Sequence, residues 1–235
     1  HDVFPENLKA IKGYKDNNLI YSLIKNIFDW AYKNADTCIV IGRDMEVVIR
    51  QKGSKNTCFL PIWSQNLEIT PRQKEKTKII KKLKLENKFV FQFAGNLGLA
   101  QGIDNILEAI SLIKEDRMHF LFIGEGALEG KVKELSSQCF NVSLLEYQKR
   151  ETQNDFLNGC DVSFVTLSEG MYGLGVPSKS YNIMAAGKPI LFVGDDNSEI
   201  ALVIKEHEIG WVVEPNNPHK LAEVIDSISQ MDQHV

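Results

Sequence analysis

The sequence predicts an α/β fold: a doubly wound, parallel, Rossmann-like sheet preceded by a partial second α/β unit. Three observations predict it. From Phe89 onward, short apolar runs alternate six times with helical patterns, the signature of βα units. Runs such as Ile190–Val193 are apolar throughout, as strands are when helices cover both faces of a sheet. The turns after successive strands, Gly95–Gly98, Gly124–Gly126, Tyr147–Arg150 and Glu169–Lys179, fall on the carboxyl edge, where such sheets bind ligands.

Composition bounds the rest. The 235 residues are 43% hydrophobic and 25% charged, enough for a sizeable core in one large domain or two small ones. A net charge of −4 gives no reason to expect nucleic acid as a partner. The charge is unevenly placed: 17 Lys and Arg stand against 10 Asp and Glu in residues 1–88, and 10 against 21 in residues 89–235. A basic front and an acidic back suggest two units, the first facing either an anionic membrane surface or plain solvent. Cys38, Cys58, Cys139 and Cys160 show neither C-x-x-C nor metal spacing. Three of the four sit in apolar contexts and read as small core residues, which fits a reducing, cytoplasmic compartment. No apolar run is long enough to span a bilayer, and no signal peptide is recognisable. The chain opens at His1-Asp2 without an initiator Met, in mid-motif, and reads as a fragment or a processed chain.

Taken in order, His1–Glu6 reads as a strand end running into a loop. A helix is expected over Asn17–Asn34, with Leu19, Ile20, Leu23, Ile24, Ile27, Phe28 and Ala31 at helical spacing. Thr37–Ile41 is a strand, Asp44–Lys52 a helix and Thr57–Leu60 a strand closed by Pro61-Ile62-Trp63. Residues 64–88 read as a linker and an exposed, Lys-rich amphipathic helix, a solvated face with membrane contact as its second reading. Strands are then expected at Phe89–Ala94, His119–Ile123, Val142–Leu145, Val162–Leu167, Ile190–Val193 and Trp211–Val213. Helices follow near residues 103–114, 128–136, 152–158, 198–206 and 218–229.

The stretch Ser168–Pro189, S-E-G-M-Y-G-L-G-V-P-S-K-S-Y-N-I-M-A-A-G-K-P, organises the chain. It leaves a buried strand, crosses a loop with three glycines, and enters a short helix. Ser178 is placed as an N-cap, and the opening turn leaves N–H groups free beside Lys179. Free N–H groups and a cation make an anion site for which a phosphate is the natural occupant. An ordinary strand-to-helix turn with solvated Ser and Lys is the competing reading.

Four motifs occur in order: G-N-L-G-L-A-Q-G (Gly95–Gly102), I-G-E-G (Ile123–Gly126), the Ser168–Pro189 stretch, and G-W-V-V-E-P (Gly210–Pro215). Together they resemble the C-terminal, donor-binding domain of glycosyltransferase family 4 enzymes with the GT-B fold. The P-S-K form of the loop resembles the branch that builds bacterial surface polysaccharides such as capsule and O-antigen. On this resemblance residues 1–63 are the end of an N-terminal, acceptor-side domain, 64–88 a linker and basic helix, and 89–235 the nucleotide-sugar-binding domain.

The resemblance implies retaining transfer from a nucleotide-diphosphate sugar, with UDP the expected carrier, to a lipid-linked saccharide at the inner membrane face. It implies no cofactor and no divalent metal. Gly95, Asn96 and Gly98 approach the diphosphate, with Gly124 on the neighbouring loop. Tyr147 and Gln148 line the nucleobase pocket. Glu169 matches the first carboxylate of the family's paired-glutamate motif and contacts the donor sugar, flanked by Gly170 and Gly173. Ser178 and Lys179 meet the phosphates, and His1 reaches the donor from the opposite domain. Glu169, His1 and Lys179 are thus the expected catalytic groups.

Three positions depart from the family's pattern. Asn96 and Gln101 are neutral where many members carry Arg and Lys, and Asn182 stands for the second glutamate. Lys179 is then the cation expected to compensate. Two further readings stand beside transfer: a non-catalytic nucleotide-sugar-binding half, and a UDP-sugar epimerase of related architecture.

Overall fold

A computed structural model describes residues 2–8, 19–64 and 68–231. His1 lies outside the described residues. The larger unit is a six-stranded, all-parallel sheet built from β3 (Phe89–Ala94), β4 (Met118–Ile123), β5 (Val142–Leu145), β6 (Val162–Thr166), β7 (Ile190–Val193) and β8 (Gly210–Val213). Its spatial order is β5-β4-β3-β6-β7-β8. Consecutive strands step outward from β3 to β5, then the chain returns to lay β6 beside β3 and steps the other way. The β3–β6 junction is therefore the topological switch point, where the loops on either side diverge and leave a crevice.

Pleating sends alternate residues of each strand to opposite faces, and each face has its own core. Phe91, Phe93, Phe120, Phe122 and Phe164 pack on one face with α4 (Ile103–Leu112), α5 (Glu129–Gln138) and α9 (Pro218–Met231). The helices α4 and α9 lie against each other. Val165, Ile190 and Phe192 face the other side. There they meet α7 (Lys179–Ala185), α8 (Glu199–His207) and residues of the smaller unit, Val3, Val40 and Met45.

The smaller unit holds α1 (Leu19–Asn34), β1 (Cys38–Val40), α2 (Arg43–Gln51) and β2 (Thr57–Phe59). Among the described residues β1 and β2 form a two-stranded parallel sheet. The apolar periodicity of α1 does make a helix, but much of its stripe faces outward. Leu19, Ile20, Leu23 and Ile27 are exposed, while Tyr21 is buried and Phe28 stacks on Phe4 with centroids 5.5 Å apart.

The Lys-rich segment differs from its expectation. Its helix is short, α3 (Lys78–Leu83), and Ile79 and Ile80 bury their side chains against Val90, Leu121 and Ile123 of the sheet. Asp155, at the start of the short helix α6 (Gln153–Leu157), caps it, accepting from the backbone N–H groups of Lys78 and Ile79. Lys74 is buried, not solvated. Its ammonium donates to the Lys88 carbonyl at 2.6 Å and pairs with Asp161 at 2.5 Å, and Asp161 also accepts from Val90 N–H. Of the cysteines only Cys160 is buried, its thiol pushed up to about 12 by desolvation. Cys58 is exposed and Cys38 and Cys139 are partly so, because β1 and β2 present one face to solvent and Cys139 only flanks its core.

Candidate functional site

The crevice at the switch point is a cleft of about 960 Å³. Three loops build its floor, and backbone bonds zip them together. The loop after β3 joins the loop after β4 through Leu97 N–H to the Glu125 carbonyl (2.8 Å) and Leu128 N–H to the Leu97 carbonyl (2.9 Å). It joins the loop after β6 through Ser168 N–H to the Ala100 carbonyl (3.0 Å), and the Thr166 hydroxyl donates to the Gln101 carbonyl. Gly124 shows why the first two loops need glycine. Its φ is +142°, and a Cβ there would sit 2.0 Å from the Gly95 carbonyl oxygen. Only bare backbone fits.

Most of the residues singled out in the sequence come together here. Gly95, Asn96, Gln101, Gly124, Tyr147, Gln148, Ser178, Lys179 and Asn182 all line the cleft. Tyr147 is 64% exposed at its rim. Gln148 is steadied by its amide donating to the Glu146 carbonyl at 2.9 Å. Gly98 sits under the Asn96 side chain, and Gly173 packs against the smaller unit away from the cleft.

Lys179 carries the most distinctive electrostatics. It is half-buried, and its Nζ stands 3.6 Å from the centroid of the Phe93 ring. It also lies 3.7 Å from the point where a Cβ on Gly95 would project. Burial pushes its pKa down to about 7. The ring face works in the other direction, since an aromatic quadrupole favours the charged form. The other cation lining the cleft among the described residues is Arg150, which is exposed.

Two placements differ from the sequence expectation. Ser178 stands at the N-cap position, but it has helical backbone angles and makes no side-chain capping bond, so its hydroxyl is left exposed at the cleft. Glu169 points away from the cleft. With Gly170 it lines a small adjoining recess alongside Tyr172, Asp195 and Ser198, and its Oε2 accepts from the Asn216 amide at 2.7 Å.

The cleft also takes residues that sequence reasoning passed over. Asp2, Asn7, Ile62 and Trp63 form its wall on the side of the smaller unit. Asn7 is 7% exposed and its Oδ1 has no hydrogen-bond partner among the described residues. Asp2 and Asn7 belong to the run that starts the chain, which reads from the sequence as a strand end running into a loop and carries no mark of a contact with the cleft. Arg150, on the Tyr147–Arg150 loop, reads from the sequence as half of a Lys149-Arg150 pair that is either solvated or a phosphate or base contact, and the structure brings it to the cleft.

The sequence model of the family described as Glycosyl transferases group 1 matches residues 75–234. The chain is 43% identical over 236 residues to WbjE of Pseudomonas aeruginosa, named a probable glycosyltransferase, covering 99% of this chain and 59% of that one. It is 24% identical over 211 residues to WcaI of Escherichia coli K12, whose name places it in colanic acid biosynthesis, covering 86% and 51%. The chain thus spans between a half and three fifths of the length of these relatives. Among solved structures, Anabaena Alr3699/HepE in complex with UDP matches with a TM-score of 0.77 at 16% identity, over 99% of this chain and 62% of the other. These likenesses show the GT-B glycosyltransferase fold for the six-stranded unit and the cleft beside it.

Proposed function

We propose, for a chain that belongs to the glycosyl transferases group 1 family, that the switch-point cleft holds the diphosphate of a nucleotide-sugar donor, with UDP as the carrier. The observation that carries this reading is Lys179, a half-buried ammonium set beside the bare backbone of Gly95 at the cleft floor. Phosphate oxygens can approach glycine backbone closely. A desolvated cation is worth more there than in water. The uridine ring is assigned to the side of Tyr147 and Gln148, where an exposed aromatic side chain offers stacking.

In the complete protein the sugar's anomeric carbon–oxygen bond to phosphate breaks and UDP departs with the electron pair. Lys179 then stabilises the growing negative charge as a full cation, where Asn96 and Gln101 offer only neutral amide donors. Asn182 supplies an amide for hydroxyl groups of the donor. We further propose retention at the anomeric carbon and a lipid-linked saccharide as acceptor, in surface polysaccharide synthesis. The names of relatives support a role in polysaccharide synthesis, and a neighbour solved with UDP supports the carrier. Asp2, Asn7 and Trp63, on the smaller unit's side of the cleft, are the acceptor-facing candidates.

Calorimetric titration with UDP, uridine, GDP and ADP tests the donor reading. Saturable UDP binding that weakens sharply when the diphosphate is removed is the expected result; equal binding of UDP and uridine would sink it. Glu169→Ala is expected to leave UDP affinity within about threefold, because Glu169 lies off the cleft.

A further inference from the structure

The glycine-rich loop that brings Ser178 and Lys179 to the cleft is held from outside its own unit. Asp44, the second residue of α2, is 3% exposed. Its Oδ2 accepts from Gly173 N–H at 3.2 Å and its Oδ1 from Met45 N–H at 2.8 Å, and the backbone N–H of Glu199 also donates to this carboxylate. Gly173 has φ +66°, and a Cβ there would lie 2.7 Å from the Asp44 carbonyl oxygen and 2.5 Å from Val48 Cγ2. The loop and the start of α2 are therefore in backbone contact. A buried carboxylate is the acceptor that satisfies the loop's N–H where water does not reach.

Neighbouring contacts hold the same place. Arg43 pairs with Glu199 at 2.9 Å, so the residue before Asp44 grips the start of α8. On the far side of the loop, Val3 N–H donates to the Leu174 carbonyl at 2.9 Å, and Asp2 bridges to Gly175. Residues 173–175 are thus clasped between two segments of the smaller unit, while residues 175–179 face the cleft.

We infer that Asp44 is a positioning residue for the cleft: by fixing the backbone of Gly173 it sets the path of the loop that delivers Ser178 and Lys179. This rests on the donor reading above only for which ligand the positioned groups meet. The hold on the loop is a separate claim. Burial makes Asp44 costly, since a desolvated carboxylate is tolerated only where its bonds are used.

Asp44→Asn tests the inference with nearly unchanged volume, since the amide keeps one acceptor oxygen and loses the other. Asp44→Ala removes both, and Glu206→Gln loosens the exposed end of the Arg43 cluster without touching Gly173. Hydrogen exchange by mass spectrometry is read on a peptide covering residues 170–177 and on peptides from β3 and β6, together with UDP affinity. In Asp44→Asn the loop peptide is expected to exchange at least tenfold faster with the sheet peptides unchanged, and UDP to weaken about tenfold. Glu206→Gln is expected to leave both as in the wild type. Should Asp44→Ala fail to fold, Asp44→Asn decides alone. Unchanged loop exchange in Asp44→Asn overturns the inference, as does acceleration of loop and sheet together, which is global destabilisation. Faster loop exchange with unaltered UDP affinity also overturns it. If the wild type binds no UDP, the donor reading fails, and the exchange measurement still decides whether Asp44 holds the loop.

Discussion

The six-stranded unit and the two-stranded one follow the same βα rule with similar strand residues, yet they treat apolar side chains differently. In the larger unit Phe91, Phe93, Phe120, Phe122, Phe164 and Phe192 are at most 1% exposed. In the smaller, Ile39 of β1 is 66% exposed and Phe59 of β2 is 39% exposed. Each strand of the larger sheet has helices on both faces, whereas β1 and β2 are covered on one. The contrast teaches that apolar periodicity says which face seeks cover. It does not say whether cover stands within these residues. Leu19, Ile20, Leu23 and Ile27 repeat at helical spacing and still face outward.

The sharpest break between the two regions is expected in stability. Phe164→Ala removes a ring packed against Phe91 at a centroid distance of 5.7 Å and is expected to cost about 3–5 kcal/mol in urea unfolding. An unfolding midpoint close to wild type would mean that the sheet core is looser than its packing indicates. Next in size is Lys179→Met, which leaves the ring contact apolar and removes the charge. Hydrogen bonds to charged groups are worth about 1.5–3 kcal/mol, so UDP is expected to weaken by about 10- to 150-fold while uridine barely changes.

The same lysine gives a pH signature. With its pKa near 7 in the empty site, the ammonium is already charged below pH 7 and binding an anion takes up no proton. Above pH 7 each bound diphosphate must draw a proton onto Lys179. UDP affinity should then fall with rising pH, by up to about tenfold per unit, until the pKa of the bound form is passed. Calorimetry in buffers of different ionisation enthalpy should register that uptake, and Lys179→Met should abolish both slope and uptake. For folding the sign is opposite. A lysine whose folded pKa lies below its unfolded value of 10.5 makes the fold gain stability as pH rises from 7 toward 10.5. The smallest effect belongs to Leu23→Ser on the open face of α1, expected within about 0.5 kcal/mol of wild type. A loss of several kcal/mol would show that this face is covered, and would erase the contrast.

How much was legible follows from the range of the interactions concerned. The six βα units, the carboxyl-edge loops and the gathering of Gly95, Asn96, Gly124, Tyr147 and Lys179 are set by local periodicity and by the topology of parallel sheets, and the sequence reading reached them. The buried state of Lys74 was not legible, because its partner Asp161 is 87 residues away and nothing in a Lys-rich run marks one member as different. Residue type places Ser178 at the N-cap, where it stands, but not its helical backbone angles, with which no side-chain capping bond forms. Glu169 was aimed at the donor by motif position, whereas its orientation depends on Asn216, a contact of sequence separation 47. Asp44 opens the helix expected over Asp44–Lys52, and nothing local marks its contact with Gly173, 129 residues away.

One tie has a mechanical consequence. Ile69 is buried, Thr70 and Arg72 donate their backbone N–H groups to Asn154 and Asn158, and Lys74 is pinned to Asp161. From Ile69 onward the connecting segment therefore moves as part of the larger body. It is the root of a lever, not a length of rope. Load put on this segment is passed straight to Asn154, Asn158 and Asp161 and is not taken up as slack along it.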